Sequence, residues 1–152
     1  GKTSCLFEVA CESPAVLINP NFAAALKSYA GHFGNAFQVV DDILDYVGDA
    51  SVLGKSIGDD LMEGKPTLPI IATLQRVQGE NLSRIRTSIA KGSVDDIDYL
   101  VDQVKCSGAL EYCYEVVRQQ SHLAITALDP LPDSIYKQAL IDLANLAVNR
   151  IC

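Results

Sequence analysis

The stretch FQVVDDILDYV, residues 37–47, sets three carboxylates into an otherwise apolar run, and its reading decides the fold. On a helix each residue advances about 100°, so with Phe37 at zero the apolar Val39, Val40, Ile43, Leu44, Tyr46 and Val47 fall between about 180° and 360°. Gln38, Asp41, Asp42 and Asp45 fall between about 40° and 140°. The two sets separate, which marks an amphipathic helix with every carboxylate on one face. Asp41 and Asp45 stand one turn apart with Asp42 beside them, an oxygen donor set that suits a hard divalent cation such as Mg2+. A plain solvated face is the other reading these residues allow. Two features weigh against it: like charges at one-turn spacing destabilise a helix, and no lysine or arginine interleaves them between Ser28 and Gly54. One and two turns back, Gly34 and Gly31 project to the same face, leaving room for a ligand or for a closely packed helix.

A second segment, VDDIDY at 94–99, has nearly the same composition. Here Ser93 precedes Asp96 by three residues, which resembles a capping box, and Asp95 and Asp96 would sit in the first helical turn, where the helix dipole favours negative charge. Asp98 makes no one-turn pair with them. Local structure therefore accounts for these acids.

Helical periodicity dominates the rest of the chain, and the expected class is all-α. Helices are predicted over about Lys2 to Glu12, Asn19-Pro20 to Val47, Leu68 to Val77, Glu80 to Lys91, Val94 to Lys105, Gly108 to Ala127 and Ser134 to Arg150, with DPLP at 129–132 breaking the last two apart. A chain of 152 residues with 49% hydrophobic content can bury one sizeable core, and a single all-helical region over 1–152 is expected. The longest apolar stretches fall short of the roughly 20 residues that cross a bilayer, and no signal peptide is visible, so a cytoplasmic protein without a transmembrane segment is expected. Five cysteines without a CxxC pair read as reduced thiols. The formal charge of −7 argues against a nucleic-acid partner. Much of that charge is concentrated: between Asp41 and Lys65, seven acids accompany two lysines.

Those lysines lie in a glycine-rich loop bounded by Gly48 and Pro66. Lys55 and Lys65 flank Gly58-Asp59-Asp60, and Lys65 is held between Gly64 and Pro66. Ammonium groups beside a carboxylate-bound cation suit a diphosphate, whose oxygens bridge to the metal while lysines neutralise the remaining charge. His32 and His122 read as packing or surface histidines.

GNAFQVVDDILDYVGD followed by LGKSIGDDLMEGKPTLP strongly resembles the second aspartate-rich region of trans-polyprenyl diphosphate synthases, and the opening GKTSCLFEVAC resembles their lysine-threonine motif. The resemblance covers nearly the whole chain. TLPIIATLQ, CSGALEY, ALDPLPDSIYKQAL and LANLAVNR are similar to the bacterial octaprenyl diphosphate synthase branch. The resemblance implies the C-terminal half of the isoprenoid synthase helical bundle, homodimeric in the full-length protein. It implies Mg2+ held by Asp41, Asp42 and Asp45 against an allylic diphosphate, with Lys2, Thr3, Gln38, Lys55 and Lys65 contacting that diphosphate or its metals. The lysines Lys2, Lys55 and Lys65 would assist departure of the diphosphate, and Phe37 would lie near the isopentenyl unit and the developing cation. The implied reaction adds isopentenyl diphosphate to an allylic diphosphate, building a long-chain polyprenyl diphosphate of the kind used for quinone side chains such as that of ubiquinone. A non-catalytic subunit that binds prenyl diphosphate, or a helical interaction module, is the alternative.

The resemblance also implies a family member about twice this length, with an upstream aspartate-rich motif and basic residues for isopentenyl diphosphate. Without them the 152-residue chain is expected to be inactive by itself and prone to self-association through exposed apolar surface. Incubated with an allylic primer, radiolabelled isopentenyl diphosphate and Mg2+, it should give no labelled polyprenyl product. Product formation would overturn that expectation.

Overall fold

The computed structural model describes residues 2–47, 59–62, 65–91 and 96–150, and no strand occurs among them. In chain order the helices are α1 (Lys2–Ile18), a 3-10 turn (Pro20–Phe22), α2 (Ala23–Val47), α3 (Asp59–Met62), α4 (Leu68–Arg76), α5 (Gly79–Lys91), α6 (Ile97–Cys106), α7 (Ala109–Ala127) and α8 (Ile135–Asn149). The all-α class expected from periodicity is what forms. No described helix is long and apolar enough to cross a membrane. Chain contacts divide the protein into two compact units, Gly1–Val40 with Glu115–Cys152, and Asp41–Tyr114.

Helix ends depart from expectation where local signals mislead. α1 runs on past Glu12 through Pro14 to Ile18. Proline removes one backbone donor from a helix interior, yet the Ser13 hydroxyl donates to the Val9 carbonyl at 2.7 Å and the Asn19 N–H to the Ala15 carbonyl at 2.8 Å, so the helix is hydrogen-bonded on both sides of the defect. Asn19 does open the next element, its Oδ1 accepting from the Asn21 N–H at 3.3 Å, but the first turn is 3-10 before α2 begins. Within the expected loop 48–66, Asp59–Met62 forms a short helix. Gly108 precedes α7 instead of opening it: its φ of +74° is one that residues with a Cβ rarely adopt. Ser134 caps α8, accepting from the Lys137 N–H at 3.1 Å.

In the first unit Tyr29, Ala30, Ala124, Leu128 and Ala144 form the buried centre, with Phe7, Phe33 and Leu140 packed against it. The Tyr29 hydroxyl donates to the Leu140 carbonyl at 2.8 Å, and burial, with a smaller contribution from Cys11, pushes the phenol up to about 12. Phe7 meets Phe33 edge to face at 5.1 Å, while Tyr29 stacks on Phe33 at 5.9 Å. Outside this core Leu6, Leu17 and Ile18 of α1 and Ile135 and Tyr136 of α8 are exposed.

Gly31 and Gly34 make room for α1, not for a ligand. A Cβ on Gly34 would stand 2.7 Å from the Ser4 Cα, and one on Gly31 would stand 3.2 Å from Glu8 Oε1. Ser4 Oγ donates to the Gly31 carbonyl at 3.3 Å across the same contact. Gly34→Ala should therefore force α1 and α2 apart and destabilise the first unit by about 1–3 kcal/mol, the usual range for overpacking. Urea unfolding followed by circular dichroism checks this; an unchanged midpoint would show that the two backbones are not so closely pressed.

Candidate functional site

In the second unit, the three carboxylates of α2 have different surroundings. Asp41 is exposed. Asp42 is only 7% exposed, and its Oδ2 accepts from the Leu68 N–H at 3.4 Å. Leu68 is the first residue of α4, whose N-cap residue Thr67 makes no side-chain cap bond. Asp42 thus supplies an acceptor, and a negative charge, at the start of a helix lacking its own cap. Asp45 Oδ2 accepts from the Asp60 N–H at 3.4 Å, and Asp60 pairs with Lys65 at 3.1 Å. Asp45, Asp60 and Lys65 are therefore linked although they lie in different segments of the sequence.

Tyr46 lies beneath them, fully buried, its hydroxyl 3.2 Å from Thr67 Oγ1. Burial drives its phenol far above the ordinary tyrosine range; the Thr67 hydrogen bond works the other way, and the charges of Asp45, Asp42 and Asp60 add to the rise. Cys113 is buried too, its thiol pushed up to about 11 by burial and then by Asp42, against the opposing charge of Arg76. Such a thiol is protonated at neutral pH and a poor nucleophile.

No group of three or more His, Cys, Asp or Glu side chains forms a metal-holding cluster among the described residues. Of the three aspartates expected to hold a metal, Asp42 turns to the start of α4 and Asp45 to α3. Their chemistry nonetheless fits a hard cation. All three are oxygen donors of the kind Mg2+ takes, and a carboxylate has about four lone-pair sites, so accepting an N–H bond does not bar it from ligating a metal.

In the first unit, Thr3 and Gln38 come together across 35 residues, the Thr3 hydroxyl donating to Gln38 Oε1 at 3.0 Å. Phe37 is half-buried, 5.8 Å from the Phe7 ring and 6.3 Å from the Phe33 ring. The Arg150 guanidinium lies 5.5 Å from its centroid. Arg150 had no signal in the sequence beyond its place in the last helix. The Lys2 side chain and all of Lys55 lie outside the described residues.

An aspartate helix, a lysine linked to it through Asp60 and a threonine-glutamine pair at the other end of the motif set agree with one sequence profile, that of the polyprenyl synthetases, which matches residues 1–104. The chain belongs to the polyprenyl synthetase family. The all-trans-nonaprenyl-diphosphate synthase (geranyl-diphosphate specific) of Rhodobacter capsulatus is 53% identical over 152 residues, covering 99% of this chain and 47% of that protein. The octaprenyl diphosphate synthase of Haemophilus influenzae is 39% identical, covering 98% of this chain and 46% of its own length. Among solved structures, a polyprenyl synthase from Caulobacter crescentus CB15, complexed with calcium and isoprenyl diphosphate, superposes with a TM-score of 0.91 at 33% identity, over 99% of this chain and 47% of that one. The chain thus spans about half the length of the curated relatives it matches.

The second acidic segment is structural, as expected, but through different partners. Asp96 stands before α6 at the N-cap, not in its first turn, and makes no side-chain cap bond. Its carboxylate instead accepts from Arg84 at 2.9 Å and from the Ser88 hydroxyl at 2.7 Å, so α5 holds it. Arg84 also lies 3.8 Å above the Tyr99 ring. Ser93 and Asp95, the rest of the expected capping box, lie outside the described residues. Asp96→Ala should lower the stability of the second unit by about 1–2 kcal/mol, a range set by one charged hydrogen bond and one half-exposed ion pair. Urea unfolding measures the loss; an unchanged midpoint would remove Asp96 from the packing of α5 on α6.

Proposed function

We propose that the protein carrying this chain is a trans-prenyltransferase that adds isopentenyl diphosphate to an allylic diphosphate and builds a long-chain, octaprenyl-like product. The observation that carries the reading is the linkage of Asp45 through Asp60 to Lys65 on a helix that also bears Asp41 and Asp42. Family membership and likeness to nonaprenyl and octaprenyl synthases support it. Asp41, Asp42 and Asp45 would hold Mg2+, which when bound neutralises charge on the departing diphosphate. Lys2, Thr3, Gln38, Lys55 and Lys65 would contact the diphosphate or its metals. The allylic carbon-oxygen bond breaks with its electron pair leaving on diphosphate, the double bond of isopentenyl diphosphate forms the new carbon-carbon bond, and a proton is then lost. Electrostatic stabilisation of the leaving group carries most of the acceleration. Phe37 would present its ring to the developing cation.

The same proposal covers a homodimer, for which the exposed apolar residues of α1 and α8 offer surface, a cytoplasmic location and use of the product in quinone side chains. Binding tests the core of it. Titrated calorimetrically with inorganic diphosphate, the chain should bind only in the presence of Mg2+, and Asp41→Ala or Asp45→Ala should weaken binding about tenfold or more, in line with loss of one metal ligand or its support. Binding that ignores Mg2+, or survives both substitutions, would sink the proposal and favour a helical interaction module.

A further inference from the structure

The pair Tyr46 and Thr67 is not accounted for by the chemistry above. Tyr46 is fully buried and Thr67 is 8% exposed, so a phenylalanine and a valine would satisfy packing alone, without two buried hydroxyls needing partners. Each hydroxyl finds the other at 3.2 Å. Thr67 also stands at the N-cap of α4, where a threonine hydroxyl ordinarily accepts from the helix; it makes no such bond and is committed to Tyr46 instead.

That commitment closes a ring. From Asp45 on α2 the path runs to the Asp60 N–H, from Asp60 to Lys65 by the ion pair and by the Lys65 N–H donating to the Asp60 carbonyl at 2.9 Å. The Thr67 N–H donates to the Lys65 carbonyl at 3.0 Å, and the Thr67 hydroxyl returns to Tyr46, the residue after Asp45. Asp42 holds the next residue, Leu68, from the same helix. Lys65 itself is exposed, so where its long side chain starts from is set by the backbone that carries it.

We propose that Tyr46 and Thr67 are positioning residues: their buried hydrogen bond anchors the segment that carries Lys65, so that the ammonium group is presented beside Asp45 and Asp60. They touch neither metal nor substrate and act through Lys65. The inference rests on the diphosphate-binding reading and adds a determinant to it.

The test is calorimetric affinity for inorganic diphosphate at saturating Mg2+, at a temperature where circular dichroism shows every variant folded. Tyr46→Phe and Thr67→Val should each weaken binding about three- to tenfold, the equivalent of one net hydrogen bond. Thr67→Ser, which keeps the hydroxyl, should stay within about twofold of the parent. In a Lys65→Met background Tyr46→Phe should have no further effect, which a general loss of stability would not reproduce. Should Thr67→Val fail to fold, Tyr46→Phe alone and in that background decides. If Asp45→Ala abolishes binding while Tyr46→Phe leaves it intact, the positioning role is refuted and the proposed function stands. An equal loss from Tyr46→Phe with and without Lys65 also refutes it. If the parent chain fails to bind diphosphate with Mg2+, the functional reading falls and this inference with it.

Discussion

Like charges one turn apart on a helix repel, and the second half of α2 has to be stable with Asp41, Asp42 and Asp45 on one face. Backbone N–H groups aimed at two of these carboxylates make that tolerable. Leu68 and Asp60 supply them from the starts of neighbouring helices, where donors lack intrahelical partners in any case. Each bond serves both sides: the helix start gains an acceptor and the carboxylate gains a donor. The arrangement of the second unit follows from this exchange, because satisfying Asp42 fixes where α4 begins and satisfying Asp45 fixes where α3 begins.

The first unit is organised by a different constraint, close approach of two helices. Gly34 admits the backbone of α1 at Ser4, and the rings of Phe7, Phe33 and Tyr29 fill the space alongside it. That approach also sets Thr3 within reach of Gln38. The glycines and the threonine-glutamine pair are thus parts of one contact: a wider separation between helices would break the hydrogen bond as well as loosen the core.

What periodicity could reveal was local. It separated the acidic face of α2 from its apolar face, located most helices within a few residues and set 41–45 apart from 94–99. Partners distant in the chain carry no periodic signal, so the Asp42 bond to Leu68, the Asp96 bonds to Arg84 and Ser88 and the Arg150 contact with Phe37 were not legible. The first helix, predicted to end at about Glu12, instead continues through Pro14. A proline is a reliable local breaker, but Ala15 beyond it is buried, and tertiary burial outweighs one missing hydrogen bond. Gly31 and Gly34 were legible as a vacancy on the helix face, though what filled it needed the position of α1.

Three aspartates in one motif need not be interchangeable, and burial separates them. Asp42 is nearly buried at a helix start and raises the Cys113 thiol, so its charge is felt by the protein interior. A carboxylate so placed needs a fixed donor, since an unsatisfied buried charge is far more costly than an exposed one. Asp41 is exposed, so its charge stays in contact with water and carries no comparable desolvation penalty. Asp45 lies between, half-buried and tied to the segment that carries Lys65. The motif therefore combines a buried member, an exposed member and a linking member, and it is the linking member that connects the negative helix face to the lysine. In the proposed function a metal diphosphate, with both a cation and an anionic group, would draw on all three at once.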